Sequence, residues 1–144
     1  MTEQKIAAVL GGQKSLGHQI KGASDIDRLI RKGFQVGTGN HIKEALDLTD
    51  SDLADILDVS ARTLSRIRKE NKRLSPLASD RLYRIARIYA LACEVLEDDT
   101  MAKKWLHRSQ AGLRGEIPLD LLRTEAGTRE VEDLLLRIEH GVLS

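Results

Sequence analysis

The sequence predicts an all-α protein, and three observations carry that prediction. Apolar residues recur three and four positions apart along most of the chain, as they do on the buried face of a helix. The two prolines, Pro76 and Pro118, both suit the first turn of a helix, where a missing backbone N–H costs nothing. No stretch longer than a few residues alternates between apolar and polar side chains, so no strand is expected.

Capping residues and glycines set the predicted helix boundaries. Thr49, Ser60 and the pair Ser75-Pro76 are typical helix starts, and Ser24 is a further candidate N-cap. The segment 34–40, with two glycines, is predicted as a linker, and Gly127 as the end of a short helical unit. The predicted helices span 24–32, 41–47, 49–57, 60–69, 76–96, 101–107, 118–122 and 128–140. We expect three regions: an N-terminal helical region (1–74), a long connecting helix (75–98) and a C-terminal domain (99–144).

The charge is divided unevenly along the chain. The whole sequence has a formal net charge of +1, from 23 Lys and Arg against 22 Asp and Glu. Residues 61–92 carry nine basic and two acidic side chains, whereas residues 93–144 carry seven basic and eleven acidic ones. This asymmetry predicts two partners of different character, with a polyanion for the basic segment. The alternative is that these charges only solvate helix faces.

Composition excludes several classes of function. Aromatic residues make up 3% of the chain, which is too few for a reader that stacks nucleic-acid bases on exposed rings. The single Cys93 excludes a disulfide framework, and the four histidines lack metal-ligand spacing. No catalytic constellation, cofactor site or metal site is therefore expected. No apolar run is long enough to span a membrane and no secretory signal is evident, so we expect a cytoplasmic protein.

Residues 53–66 have the pattern of a helix-turn-helix. Ala54 is small enough for the place where two helices cross, and Val59 is an apolar plug in the turn. Ser60 caps the second helix, while Asp58 occupies the turn position that usually requires Gly. The predicted DNA-contacting residues are Ser60, Arg62, Thr63, Ser65, Arg66 and Lys69.

Two considerations leave this interpretation open. Short helix pairs of the same shape also occur as plain structural corners. The preceding helix carries four acidic residues, which would weaken binding if they faced the phosphates. They would do no harm if they faced solvent or paired with nearby arginines. The basic residues Arg68, Lys72 and Arg73 are expected to extend the basic surface beyond the second helix.

Several motifs, in order, resemble the Xre/ParS/MbcA class of type II antitoxins. They lie at 60–66, 74–76, 79–87, 102–106, 113–122, 124–127, 130–135 and 137–141, so the resemblance covers roughly residues 24–144. Two departures from the family pattern stand out. Asp58 replaces the usual turn Gly, and Leu96-Glu97 stands where the family more often has Phe-Gly. We expect the second departure to alter only a local contact.

The resemblance implies an Xre-like helix-turn-helix bundle followed by a small helical toxin-binding domain. It further implies a RES-domain toxin as partner, which is an enzyme that consumes NAD or transfers ADP-ribose from it. Family members occlude the toxin's active site, often with the C-terminal end of the chain, and they commonly form homodimers and repress their own operon by binding operator DNA. The runner-up is a stand-alone helix-turn-helix transcription regulator whose C-terminal domain senses a signal or dimerises.

The predicted toxin-binding residues lie in the last forty positions or so: Trp105, Leu113, Pro118, Leu122, Arg137, His140, Gly141, Val142, Leu143 and Ser144. The last helix is a rigid base that stops at Gly141. The three residues that follow it, with the terminal carboxylate, could enter a cleft in the toxin. An acidic end is complementary to a positive cleft that binds a dinucleotide. Alternatively, the tail is a frayed terminus, Trp105 is a core anchor, and Arg137 and His140 only complement the helix dipole.

Overall fold

The computed structural model describes residues 2–17 and 21–141, and within them the chain is all-α with no named strand. Packing divides the chain into two units, Met1–Ala86 and Arg87–Ser144, and the division falls inside one long helix. Two isolated antiparallel bridges, Gln35 with Arg73 and Gln110 with Glu116, are the extended pairings within the described ranges.

The first unit contains six complete helices and the start of a seventh. These are α1 (Thr2–Val9), α2 (Gly12–Leu16), α3 (Ala23–Lys32), α4 (Val36–Ala45), α5 (Asp50–Leu57), α6 (Ala61–Glu70) and α7 (Pro76–Leu96). Among its described residues, the buried apolar side chains are aliphatic apart from Phe34, and the fully buried ones include Leu10, Ile42, Leu46, Leu53, Leu64 and Leu82. Helices α1 and α2 lie in the predicted N-terminal helical region but precede every helix whose bounds the sequence predicts.

The second unit begins in α7 and contains three further helices. These are α8 (Asp99–His107), α9 (Pro118–Leu121) and α10 (Glu125–Glu139), with a 3-10 turn at Ala111–Leu113. Its core contains Ala92, Leu106, Leu113, Leu122, Val131 and Leu135, each at most 2% exposed. Asp98 caps α8 by accepting hydrogen bonds from the N–H groups of Thr100 and Met101, which explains the interruption after α7.

Three predicted boundaries were wrong. The segment 34–40 is not a linker, because α4 begins at Val36 and includes both glycines. A Cβ at Gly39 would meet Leu53 and Leu82 at 3.6 and 3.7 Å, so this glycine lies in a packed interface rather than in a turn. Helix α3 starts at Ala23 with Gly22 as its cap, which places Ser24 inside the first turn.

The third wrong boundary concerns the last helix, which begins three residues earlier than predicted. Thr124 caps α10 by accepting a hydrogen bond from the N–H of Gly127 at 2.9 Å. Gly127 therefore lies in the first turn of α10 and does not end the preceding unit. Position 127 is a glycine for a steric reason, because a Cβ there would overlap the backbone carbonyl of Leu121.

Candidate functional site

Helices α5 and α6 form the predicted helix-turn-helix, and its turn is built as the sequence indicates. Thr49 and Asp52 form a capping box at the start of α5. Asp58 ends α5 in the left-handed conformation, with φ 57° and ψ 47°, and accepts the geometry that Gly usually supplies. Ser60 then caps α6 by accepting a hydrogen bond from the N–H of Thr63 at 3.0 Å.

Helix α6 separates an inward face from an exposed basic face. Leu64 is 2% exposed and is the one buried residue of this helix. Arg62, Ser65, Arg66 and Lys69 are all exposed, on the side away from Leu64. Ser60 and Thr63 are occupied in the cap, where the Ser60 hydroxyl also donates to the Thr63 hydroxyl. Ser60 is exposed as well, but its hydroxyl is used in the cap, so Arg62, Ser65, Arg66 and Lys69 are the members of the predicted DNA-contacting set that are both exposed and outside the cap.

Most cations of the basic segment 61–92 are already engaged within the chain. Six of the nine have a carboxylate, amide or carbonyl partner: Arg68 with Asp50 and Asn40, Lys72 with Glu70, Arg73 with the Gly33 carbonyl, Arg81 with the Ile56 carbonyl, Arg84 with Asp80, and Arg87 with Glu132. Within the described part of the chain, the three that have no such partner are Arg62, Arg66 and Lys69. The expected extension of the basic surface by Arg68, Lys72 and Arg73 is therefore reduced, because each of these has a partner.

The acidic residues of α5 and its turn also have structural roles. Asp50 accepts from the Arg68 guanidinium at 2.9 Å and lies 3.0 Å from the Lys43 ammonium. These two cations, Arg68 first, lower the pKa of Asp50 from 3.8 to about 2. Asp52 belongs to the capping box and Asp58 to the turn. Because Asp50 is paired with two cations, its carboxylate would repel DNA bound to α6 less than an unpaired carboxylate would.

The predicted toxin-binding side chains are divided between the core and the surface of the second unit. Leu113, Pro118 and Leu122 are buried, so in this structure they belong to the core of the second unit. Trp105 is half-buried on α8. Direct contact of the three buried residues with a partner would require them to move.

The end of α10 presents the remaining predicted toxin-binding residues. Arg137, His140 and Gly141 are exposed, and Gly141 has φ 71°, which favours glycine. Val142, Leu143 and Ser144 lie outside the described residues. The helix therefore ends at a conformational stop immediately before the predicted tail.

Two ion-pair groups in the second unit were missed by sequence reasoning. Arg87 on α7 donates to Glu132 on α10 at 2.5 Å. Arg114, in the left-handed conformation with φ 59°, donates to both carboxylate oxygens of Glu130 and also reaches Glu116. The Arg114 pairing lowers the pKa of Glu130 and raises the pKa of Arg114. No local pattern signals these pairs, because Arg87 and Glu132 are 45 positions apart.

Among the residues described, no group of three or more His, Cys, Asp or Glu side chains could hold a metal ion. In the same ranges, no helix is both long enough and apolar enough to cross a membrane. Cys93 is a buried cysteine on α7.

One departure from the family pattern has more than a side-chain effect. Glu97, which stands where the resemblance leads one to expect Gly, has φ 57° between α7 and α8. Our expectation of an altered local contact was too narrow, since a non-glycine residue is held there in a left-handed backbone conformation.

Comparison with known families assigns both halves of the chain. Residues 25–87 match the antitoxin Xre-like helix-turn-helix domain. Residues 91–141 match the antitoxin Xre/MbcA/ParS C-terminal toxin-binding domain. The two matched ranges contain α6 with its exposed cations and α10 with its glycine stop, respectively.

Individual proteins agree with these assignments. The chain is 32% identical over 116 residues to an antitoxin Xre of Yersinia enterocolitica, covering 80% of this chain and 78% of that protein. It is 25% identical to the Prs ADP-ribosylating antitoxin of a Sphingobium species, covering 85% of this chain and 84% of that one. A chain of the crystal structure of the M. tuberculosis MbcT–MbcA toxin–antitoxin complex matches with a TM-score of 0.55 and 26% identity, over 76% of this chain and 96% of that chain.

Proposed function

This chain belongs to the Xre/MbcA/ParS family of type II antitoxins, and on that premise we propose its toxin class and its second partner. Its toxin is a RES-domain enzyme that consumes NAD or transfers ADP-ribose from it. The antitoxin acts in the cytoplasm, occludes the active site of that enzyme, and represses its own operon by binding operator DNA as a homodimer.

Charge and similarity support the toxin class. Residues 93–144 carry eleven acidic and seven basic side chains, and a cleft that binds the pyrophosphate of NAD is positive. The Sphingobium relative is named an ADP-ribosylating antitoxin, and NAD is the source of ADP-ribose in such reactions. The structural relative comes from a toxin–antitoxin complex.

The proposed mode of inhibition uses the end of α10. The helix is a rigid base because its buried face, including Val131 and Leu135, packs in the core of the second unit. Arg137 and His140 are exposed beside the glycine stop, where they could bind carboxylates on the toxin. Residues 142–144 then enter the cleft.

Co-expression of the chain with the product of the neighbouring gene tests both the toxin class and the mode of inhibition. We expect the intact antitoxin to copurify with the toxin, restore growth and preserve cellular NAD. Deleting residues 142–144 should leave copurification but abolish protection of NAD, while deleting residues 2–4 should change neither. Full protection by the tail-deleted chain would disprove the plug, and a neighbour that does not deplete NAD would disprove the toxin class.

The DNA-binding arm rests on one observation: the cations of residues 61–92 that have no partner among the described residues all lie on the exposed face of α6. Guanidinium groups can bond guanine edges bidentately, and an ammonium group can neutralise a phosphate. Arg62 and Arg66 lie one turn apart, as residues that follow a major groove would. We place Ser65 beside them as a phosphate or base contact.

Gel shift of the DNA upstream of the operon tests this arm. The double variant Arg62→Ala/Arg66→Ala should lose the shift, because it removes both proposed guanine contacts. The control Arg108→Ala/Arg129→Ala removes two exposed cations from the second unit and should bind normally. DNA binding without any toxin neutralisation would favour the stand-alone regulator instead.

A further inference from the structure

Helix α6 has little apolar anchorage for an element that is proposed to read DNA. Leu64 is its one buried residue, and Ile67 is half-buried. Its first turn is held by the Ser60 cap. A single buried side chain fixes where a helix lies more firmly than how it is rotated about its axis. The orientation of the basic face therefore needs a second point of attachment.

A polar cluster, which we call the Arg68 clamp, provides that attachment in the last turn of α6. It consists of Arg68, Asp50, Asn40 and Lys43. The Nε of Arg68 donates to Oδ1 of Asn40 at 3.0 Å, and its Nη2 donates to Oδ1 of Asp50 at 2.9 Å. Nζ of Lys43 lies 3.0 Å from the same Asp50 oxygen. The clamp thus joins α4, α5 and α6 at one point.

The position of the clamp on α6 matters as much as its contacts. Arg68 lies four residues, or about one helical turn, after Leu64, so both are on the inward face. The exposed cations Arg62, Arg66 and Lys69 lie on the other side. Two attachments one turn apart on the same face resist both tilt and rotation of the helix.

We propose that Arg68 is a positioning residue that sets the orientation of α6 for DNA recognition and does not itself contact DNA. This inference rests on the DNA-binding arm of the proposed function. Two of the three guanidinium nitrogens are already bonded within the chain, and the side chain is 28% exposed. A lysine at this position would keep the charge but could not bond Asn40 and Asp50 in the same fork geometry.

Substitutions that keep charge or change it in a known direction separate positioning from direct contact. We measure the binding of the full-length protein to the DNA upstream of its operon at several salt concentrations. Arg68→Lys should weaken binding about fivefold, the effect of losing a networked ion pair, with an unchanged salt slope. A residue that only neutralised a phosphate would tolerate lysine, so wild-type affinity in this variant would overturn the proposal.

Replacing Asp50 tests whether DNA affinity rises with net positive charge or falls with the loss of the clamp. Asp50→Ala makes the protein more positive, and simple charge attraction to DNA would then tighten binding. The clamp predicts weaker binding instead, because Arg68 is released. The matched control, Glu44→Ala on α4, removes one exposed negative charge outside the clamp and should bind equally well or slightly better. Tighter binding by Asp50→Ala than by Glu44→Ala would contradict the proposal.

Hydrogen exchange of backbone amides separates the failure of the clamp from the failure of DNA binding. Arg68→Met should speed exchange at residues 66–70 several-fold in the absence of DNA, and leave α3 unchanged. Unchanged exchange together with wild-type DNA affinity overturns the clamp and leaves the DNA-binding arm intact. Faster exchange in a protein that binds no DNA even as wild type overturns the role in recognition and the DNA-binding arm together.

Discussion

The backbone carbonyl of Leu121 occupies the space in which a side chain at Gly127 would begin. The N–H of Gly127 donates to the hydroxyl of Thr124 in the cap of α10. The first turn of α10 therefore lies in close contact with the end of α9 at Leu121. Helix α10 contributes Glu132 and Glu130 to the ion pairs with Arg87 and Arg114. It also precedes residues 142–144, which are proposed to enter the toxin's cleft. Close backbone contact at Gly127 therefore determines how α10 is seated in the second unit.

We expect Gly127→Ala to destabilise the protein by about 1–3 kcal/mol, the usual range for overpacking. Backbone rather than a flexible side chain obstructs the new methyl group, so relief requires α10 to shift. The control is Gly112→Ala, whose Cβ would meet the Leu134 Cδ1 at 2.8 Å, an atom that can move. Urea unfolding measures both, and equal losses in the two variants would contradict this account.

Glu97 offers a stabilising substitution. Its φ of 57° is costly for a residue with a Cβ, and Gly adopts it without strain. Glu97→Gly should raise the free energy of unfolding by up to about 1 kcal/mol, even though glycine gains entropy in the unfolded chain. Glu97→Ala removes the same carboxylate without relieving the backbone and should not stabilise. If both variants unfolded at the same urea concentration, backbone strain would not be the cause.

Thr38 and Thr128 form a matched pair with opposite expectations. Both are fully buried, but the Thr128 hydroxyl donates to the Thr124 carbonyl at 2.7 Å. Within the described residues, the Thr38 hydroxyl is the buried side-chain polar group without a hydrogen-bond partner. Thr38→Val should stabilise by about 1 kcal/mol and Thr128→Val should destabilise by a similar amount. A loss of stability in Thr38→Val would show that its hydroxyl has a partner.

The Asp50 pairing makes stability depend on pH in a defined window. Its pKa is lowered from 3.8 to about 2, so the folded state prefers the carboxylate more than the unfolded chain does. The contribution is therefore complete above about pH 5, declines as the pH falls below 3.8, and is lost as the pH falls through 2. The stability difference between wild type and Asp50→Asn, from urea unfolding, should be constant above pH 5 and shrink below pH 4. A difference that did not change down to pH 2 would contradict the lowered pKa.

Local signals predicted much of the candidate site. The Thr49 cap, the turn at Asp58 and the Ser60 cap all depend on residues within four positions of one another, so they can be recognised in a sequence. The outward direction of Arg62, Ser65, Arg66 and Lys69 follows from helical periodicity around Leu64. Their contact with DNA stays a prediction, as do the predicted roles of Arg137, His140 and residues 142–144.

Local signals misled where packing outweighs propensity. Gly37 and Gly39 predict a turn in isolation, yet α4 passes through both because it packs against Leu53 and Leu82 at this point. Leu113 and Leu122 were predicted to bind the toxin, and that contact stays a prediction, whereas their burial was not foreseen. An apolar residue can lie in a core or at an interface, and which of the two it does depends here on how the 3-10 turn, α9 and α10 pack together.

The sequence by itself determined the all-α class, the helix-turn-helix and the order of motifs that places the chain among the Xre/MbcA/ParS antitoxins. Only the tertiary structure decided which cations remain free for a partner. Arg68 pairs with residues 18 and 28 positions away, and Arg87 with one 45 positions away, so chain folding alone brings them together. Capping and periodicity act within a few residues, whereas charge pairing depends on distance in space. The basic segment was visible in the sequence. The sequence did not show that only three of its cations, all on α6, lack a partner among the residues that the structure describes.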